Sequence, residues 1–202
     1  MALPAFDPAT TALLICDLQN DFMHADGAYA RGGAVSAAVA AVPARVKPAA
    51  DALRRAGGWI VSTHFTLVPG KGGEPMISPH LRKLRPFLRK GDFAPGSWGH
   101  DVLAELEPID AKVEKVAYSA FYMSRLEFVL RKAGIETLAI CGIVTNGGVA
   151  STLRDAHVRD FRVILLTDGC AAFDPRIHDA TVAELSSIVY TGTCTEFAAA
   201  LA

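Results

Sequence analysis

Neither sign of charge is in excess: 20 basic and 21 acidic residues leave a formal net charge of -1. No field therefore concentrates nucleic acid or an anionic membrane at the surface. The one local exception, the cluster Arg82, Lys83, Arg85, Arg89 and Lys90, reads as a solvated face beside a loop. Cysteine is scarce and scattered. Cys16, Cys141, Cys170 and Cys194 form no C-x-x-C pair, which favours reduced thiols in the cytoplasm. Long hydrophobic runs are missing too. The longest early one, Ala12 to Cys16, fits a strand and falls far short of a membrane span. The opening MALPAFDPATT has no basic region followed by a long apolar core, so the expectation is a cytoplasmic protein with no membrane partner. Linkers, repeats and low-complexity tracts are also lacking, and residues 1–202 read as one domain.

What is present is ordinary globular material, 51% apolar and 20% charged. Short apolar runs alternate with longer helical patterns. Strands are predicted at Ala12–Cys16, Trp59–Thr63, Lys112–Val116, Thr137–Cys141, Arg162–Thr167 and Ile188–Thr191. Helical stretches are predicted at Ala34–Ala56, limited by Pro43 and Pro48, at Asp101–Leu106, at Arg125–Ala133, at Asn146–Asp160 and at Ile177–Ser187. Ser124 reads as the N-cap of the third of these, with Glu127 completing a capping box. The fold class is α/β, a mainly parallel six-stranded sheet with helices on both faces, Rossmann-like and three-layered. In such sheets ligands bind beyond the carboxyl ends of the strands, where the winding reverses. Asp17, His64, Lys115 and the turn Gly142–Gly148 follow strand ends and are the residues to weigh.

Asp17 opens Asp-Leu-Gln-Asn-Asp-Phe straight after a buried strand, where a partly desolvated carboxylate can move protons. A helix N-cap or loop anchor is the bland reading of the same residue. Lys115, at a parallel-strand terminus, can reach Asp17 and hold it. The segment Cys141-Gly-Ile-Val-Thr-Asn-Gly-Gly-Val149 is a strand, a tight turn and a helix start, whose free amides suit an oxyanion or a carboxylate. It is neither a P-loop nor a dinucleotide fingerprint.

Together the Asp-Leu-Gln-Asn-Asp-Phe start, Lys115 before Tyr118-Ser-Ala-Phe121, and the Gly-x-x-Thr-Asn turn resemble the isochorismatase-like hydrolases. Pro95-Gly-Ser-Trp-Gly99, Ser151–Ala156 and Thr167–Ala171 match the same pattern, so the resemblance spans about Ala12 to Thr191. It implies an Asp, Lys and Cys triad in which Asp17 and Lys115 are retained while Gly148 stands where most members carry the nucleophilic Cys. It also implies a cis peptide between Ile143 and Val144, and a homodimer or homotetramer. True isochorismatases share the glycine but have a different turn sequence, so the flanks of this turn look like the amidase branch.

Without a thiolate no thioester forms. The expected activity is hydrolysis of a small metabolite without covalent catalysis, with Asp17 as general acid or base. Lys115 orients it, and the Val144 and Gly148 amides meet developing negative charge. Phe22, His64, Trp98, Tyr118 and Phe121 are expected to line the pocket. The alternatives are a small-molecule-binding pseudoenzyme derived from a Cys amidase, or an engineered Cys-to-Gly amidase. No cofactor is expected, and no metal, since no Asp stands two residues before His64 and the other histidines lack ligand spacing.

Overall fold

The computed structural model describes residues 3–201. Six parallel strands form one sheet: β1 (Thr11–Cys16), β2 (Trp59–Phe65), β3 (Ala111–Lys115), β4 (Thr137–Ile143), β5 (Arg162–Ala171) and β6 (Tyr190–Gly192). Their order is β3-β2-β1-β4-β5-β6, so the winding reverses between β1 and β4. Helices cover the sheet to give three layers. β1 and β4 are buried along their whole length, which explains why both read as unbroken apolar runs. Among the described residues no helix is long and apolar enough to cross a membrane.

Several boundaries differ from expectation, each for a physical reason. β2 runs two residues further, to Phe65, because Thr63, His64 and Phe65 continue the ladder against Val113, Glu114 and Lys115. β5 continues to Ala171: its partner register jumps from Ile140↔Leu165 to Gly142↔Cys170, so Thr167–Gly169 bulge and the strand then resumes. The 34–56 stretch is two helices, Ala37–Ala40 and Val42–Arg55, and the second passes through Pro48. Pro48 and Ala44, whose carbonyl loses its helical partner, are both exposed, which limits the cost of the interruption. The 101–106 stretch forms only a 3-10 turn, Ala104–Leu106. The third predicted helix is Leu126–Lys132; Arg125 holds the N-cap position with no side-chain bond, and the Ser124 hydroxyl accepts from the Leu126 amide at 3.1 Å. Glu127 turns outward to Arg159, 3.0 Å away, so no capping box forms. The fourth begins as a π-type turn, Thr145–Val149, and continues as the helix Ala150–His157. The fifth is Pro175–Leu185, capped by Asp174.

One glycine lets the switch point close. A Cβ on Gly142, at φ 117°, would lie 2.1 Å from the Cys16 carbonyl oxygen. No side chain fits there, and its absence brings the turn after β4 against the end of β1.

Candidate active site

The residue after β1, Asp17, has φ 58°, in the left-handed region that Asp tolerates better than most residues. Its amide donates to the Thr63 carbonyl of β2, 3.1 Å away. Both oxygens of its carboxylate are engaged. Oδ1 accepts from the Thr63 hydroxyl at 2.9 Å, and Oδ2 lies 2.7 Å from Lys115 Nζ. Lys115 is the last residue of β3, and its side chain passes over the end of β2 to arrive there. Its other donors go to the carbonyls of Ala117, at 3.0 Å, and Tyr118, at 3.2 Å. An ammonium has three N–H donors, so all are used and Lys115 acts as an orienting charge.

Asp17 is 4% exposed and Lys115 2%. Burial pushes the Asp17 carboxyl up from its ordinary value, against the Lys115 ammonium and the Thr63 hydroxyl, which pull it down. A proton is thus held on this carboxyl more readily than on a solvated one.

Gly148 completes the cluster. A Cβ there would lie 3.1 Å from Asp17 Oδ2, 3.3 Å from the Ile143 carbonyl oxygen and 3.5 Å from Lys115 Nζ. The Ile143–Val144 peptide is cis, as the resemblance implies. The turn is anchored where Thr145 Oγ1 meets His178 Nδ1 at 2.8 Å. The 117–121 segment is tied to the following helix by the Ala120 amide, which donates to Thr152 Oγ1 at 2.9 Å.

The expected pocket residues divide. Phe22 belongs to an aromatic wall: its ring centroid is 4.5 Å from that of Phe93, 4.7 Å from Tyr29 and 6.0 Å from Phe65. Lys115 Nζ stands 5.8 Å over the Phe65 ring, which carries the wall to the ion pair. Val144 and Tyr118 flank Gly147, where a Cβ would meet them at 3.0 and 3.3 Å, but Tyr118 is exposed to solvent rather than enclosed. Trp98 is exposed too, edge-on to His24, and its carbonyl accepts from Asn20. Phe121 is buried against Phe161 and Arg159, in the core rather than at the cleft. His64 points to the opposite face of the sheet, because β2 runs past it and alternation gives Asp17's face to Thr63 and Phe65. Those two neighbours are the residues that sequence reasoning missed; extending β2 by two positions identifies both.

The four thiols are all buried. Cys16 pairs in register with Thr63, and the left-handed turn at Asp17 brings its carboxylate to the Thr63 hydroxyl as well. Burial pushes the Cys16 thiol up to about 12 and holds Cys141, Cys170 and Cys194 above the ordinary range. Cys170 lies inside the extended β5 and is buried. Gln19, fully buried, clamps the site from outside: its amide oxygen accepts from Phe65 N at 2.7 Å, and its nitrogen donates to the Phe65 and His100 carbonyls at 3.0 and 2.8 Å. Among the described residues no group of three or more His, Cys, Asp or Glu side chains is arranged to hold a metal ion.

Comparison with known proteins agrees with this fold. The ureidoacrylate amidohydrolase RutB of Serratia proteamaculans (strain 568) is 33% identical over 185 residues, covering 85% of this chain and 74% of the relative. RutB of Pantoea ananatis (strain LMG 20103) is 34% identical over 176 residues, covering 81% and 70%. A cysteine hydrolase from Pseudomonas syringae pv. phaseolicola 1448A superposes with a TM-score of 0.83 at 22% identity, over 99% of this chain and 96% of that one. N-carbamoylsarcosine amidase from Thermoplasma acidophilum superposes with a TM-score of 0.71 at 25% identity, over 92% and 96%. A family model described as the Isochorismatase domain matches residues 11–197, from the first residue of β1 to the C-terminal helix, and with the relatives' identity this makes the chain a member of the isochorismatase family of hydrolases.

Proposed function

We propose that this protein hydrolyses a small amide or ureido compound by direct attack of water, with no acyl-enzyme intermediate. The observation that carries the reading is the bare Cα of Gly148, where the first atom of a side chain would stand 3.1 Å from Asp17 Oδ2. A water in that space is within reach of the carboxylate and takes the place of the missing thiol. Asp17 accepts the water's proton as its oxygen attacks the carbonyl carbon. It returns that proton to the leaving nitrogen as the C–N bond breaks. Burial suits it to both duties, since a raised pKa makes a carboxylate a stronger base and holds the proton until the leaving group takes it. Lys115 fixes the carboxylate and balances its charge, and the amides of Val144 and Gly148 receive the oxyanion. Phe22 and Phe65 supply an apolar wall beside the ion pair that limits access of bulk water. The amide class is supported by the relatives named above, which act on ureidoacrylate and N-carbamoylsarcosine according to their names.

A turnover screen of ureido acids, simple amides and isochorismate-like enol ethers tests the reading, with Asp17→Asn as control and intact-protein mass spectrometry during turnover. Amide or ureide hydrolysis lost in Asp17→Asn, with no acyl adduct, supports it. Turnover of enol ethers alone would reassign Asp17 to protonating a vinyl ether. Binding without turnover, or an acyl adduct on a cysteine, would overturn it.

A further inference from the structure

The two halves of the site belong to elements that the sheet keeps apart. Lys115 ends β3 at one edge, whereas Gly148 follows β4, with β2 and β1 lying between. A buried hydrogen bond bridges them. The Ala120 amide, in the loop that follows Lys115, donates at 2.9 Å to the hydroxyl of Thr152, in the first turn of the helix Ala150–His157 into which Gly148 leads. Ala120 and Thr152 are both fully buried, so water has no access to stand in for the hydroxyl. Around them the loop faces solvent, with Tyr118, Tyr122 and Met123 all exposed. The Ala120 carbonyl accepts from the Ser124 hydroxyl, a bond that the segment makes to itself. Phe121 adds an apolar pin, its ring centroid 6.0 Å from that of Phe161 and 4.9 Å from the Arg159 guanidinium.

This loop also supports the cation. Its carbonyls on Ala117 and Tyr118 take two of the Lys115 donors, at 3.0 and 3.2 Å, and the ammonium meets Asp17 Oδ2 at 2.7 Å. A continuous series of contacts thus runs from Thr152 through the loop and Lys115 to the carboxylate. Without the Thr152 oxygen, the Ala120 amide is stranded in the core and has to move outward to find a partner. The ammonium then either follows the two carbonyls away from Asp17 or stays and loses their support. Both outcomes weaken the pull that the cation exerts against burial at the carboxyl. The other titratable groups near Asp17 are the Cys16 thiol on β1 and the Tyr29 phenol on the short helix Ala28–Arg31. Burial raises both above their ordinary values, so both are neutral where a carboxyl titrates, and Lys115 is the charge that acts on Asp17.

We propose that Thr152 is a positioning residue for Asp17: by accepting the Ala120 amide it holds the loop whose carbonyls set the Lys115 ammonium against the carboxylate. The bearing of this mooring on turnover rests on the proposed role of Asp17 as the base; the mooring itself does not.

The test reads Asp17 without turnover, by the pH titration of its side-chain carboxyl ¹³C resonance in the whole protein, assigned by its absence in Asp17→Asn. Thr152→Val keeps the shape and removes the acceptor, whereas Thr152→Ser keeps the acceptor and removes a methyl group. The expected result is that Thr152→Val raises the Asp17 midpoint by about one pH unit, part of the ~1–3 units that an adjacent cation is worth, while Thr152→Ser titrates as wild type does. The acid limb of kcat/KM should move up with the midpoint. Hydrogen exchange in the wild type checks the bond itself, whether or not Thr152→Val folds: the Ala120 amide should exchange at least tenfold more slowly than a free amide. The proposal is overturned if Thr152→Val titrates at the wild-type midpoint, which would leave the Phe121 pin as the fastening. It is also overturned if Thr152→Ser shifts as far as Thr152→Val, or if the Ala120 amide exchanges as a free one does. A raised midpoint with an unmoved acid limb would uphold the mooring and remove Asp17 from the role of base, which separates this inference from the proposed function.

Discussion

A side-chain carbon on Gly148 would sit 3.1 Å from Asp17 Oδ2, and the carboxylate that it would meet is held on its other oxygen by Thr63 at 2.9 Å. The space beside the acid is therefore small, and what occupies it decides the chemistry. Gly148→Cys puts a thiol next to Asp17 and Lys115 at the start of a helix, where the ammonium and the amides favour thiolate. The expected outcome is alkylation at neutral pH at least tenfold faster than for a free thiol with a pKa near ~8.5, read as the pH dependence of iodoacetamide labelling at position 148. An ordinary titration there would show that the pocket does not activate a nucleophile.

Asp17 and Lys115 should separate chemistry from stability. Asp17→Asn removes the group that moves the proton, and the expected loss in kcat/KM is about 10²–10⁴-fold. Lys115→Met leaves a buried carboxylate with only Thr63 as a side-chain partner, and breaking a buried pair in this manner costs about 3–5 kcal/mol. Urea unfolding should show that loss, and the double variant Asp17→Asn/Lys115→Met should recover part of it while staying inactive. A double variant less stable than Lys115→Met alone would contradict the pairing.

The pH dependence has a defined sign. The Asp17 pKa is raised above 3.8 by burial, so the folded protein binds this proton more tightly than the unfolded chain does. The stabilisation from that proton is fully present below the unfolded value and is lost as pH rises through the folded one. Measured against Asp17→Asn, wild-type stability should therefore fall with rising pH across this window. The acid limb of kcat/KM should lie at the same raised value, since the ionised base is required. A limb at the ordinary carboxylate value would mean that Lys115 outweighs burial.

Gln19 is expected to matter without touching the chemistry. Its side chain satisfies the amide and carbonyl of Phe65 and the carbonyl of His100, all at distances of 2.7 to 3.0 Å. Gln19→Leu strands these groups, at about 1–3 kcal/mol for each one left buried and unsatisfied. Thermal unfolding should register at least one such loss. kcat should drop because Phe65 and Thr63, which flank the ion pair, lose their outer support. Unchanged stability would show that water replaces the amide.

The sequence carried the site's skeleton because the skeleton is a matter of strand ends. A buried run that stops at Asp17 or Lys115, or turns at Gly142, is visible in one dimension. What hid was everything set by cross-strand register. β2 looked finished at Thr63 because a histidine follows it. Pairing with β3 prolongs it to Phe65 and assigns His64 to the opposite face. Thr167-Asp-Gly169 resembled a strand terminus, yet it is a bulge that the ladder with β4 spans. Phe121 and Trp98 lie within motifs of the family, but motif membership carried no information about which way a ring turns. The left-handed backbone of Asp17, which brings its carboxylate to Thr63, has no composition signal at all.

Two of the three bonds on the Lys115 ammonium come from main-chain carbonyls at Ala117 and Tyr118, and the Tyr118 ring is 68% exposed. The cation that tunes Asp17 is consequently moored to a surface loop rather than to the sheet alone. Whatever shifts that loop, by contact with the tyrosine ring, slackens the mooring and lets the charge drift relative to the carboxylate. Acidity at the centre of the molecule is therefore adjustable from its rim, by a lever only three residues long.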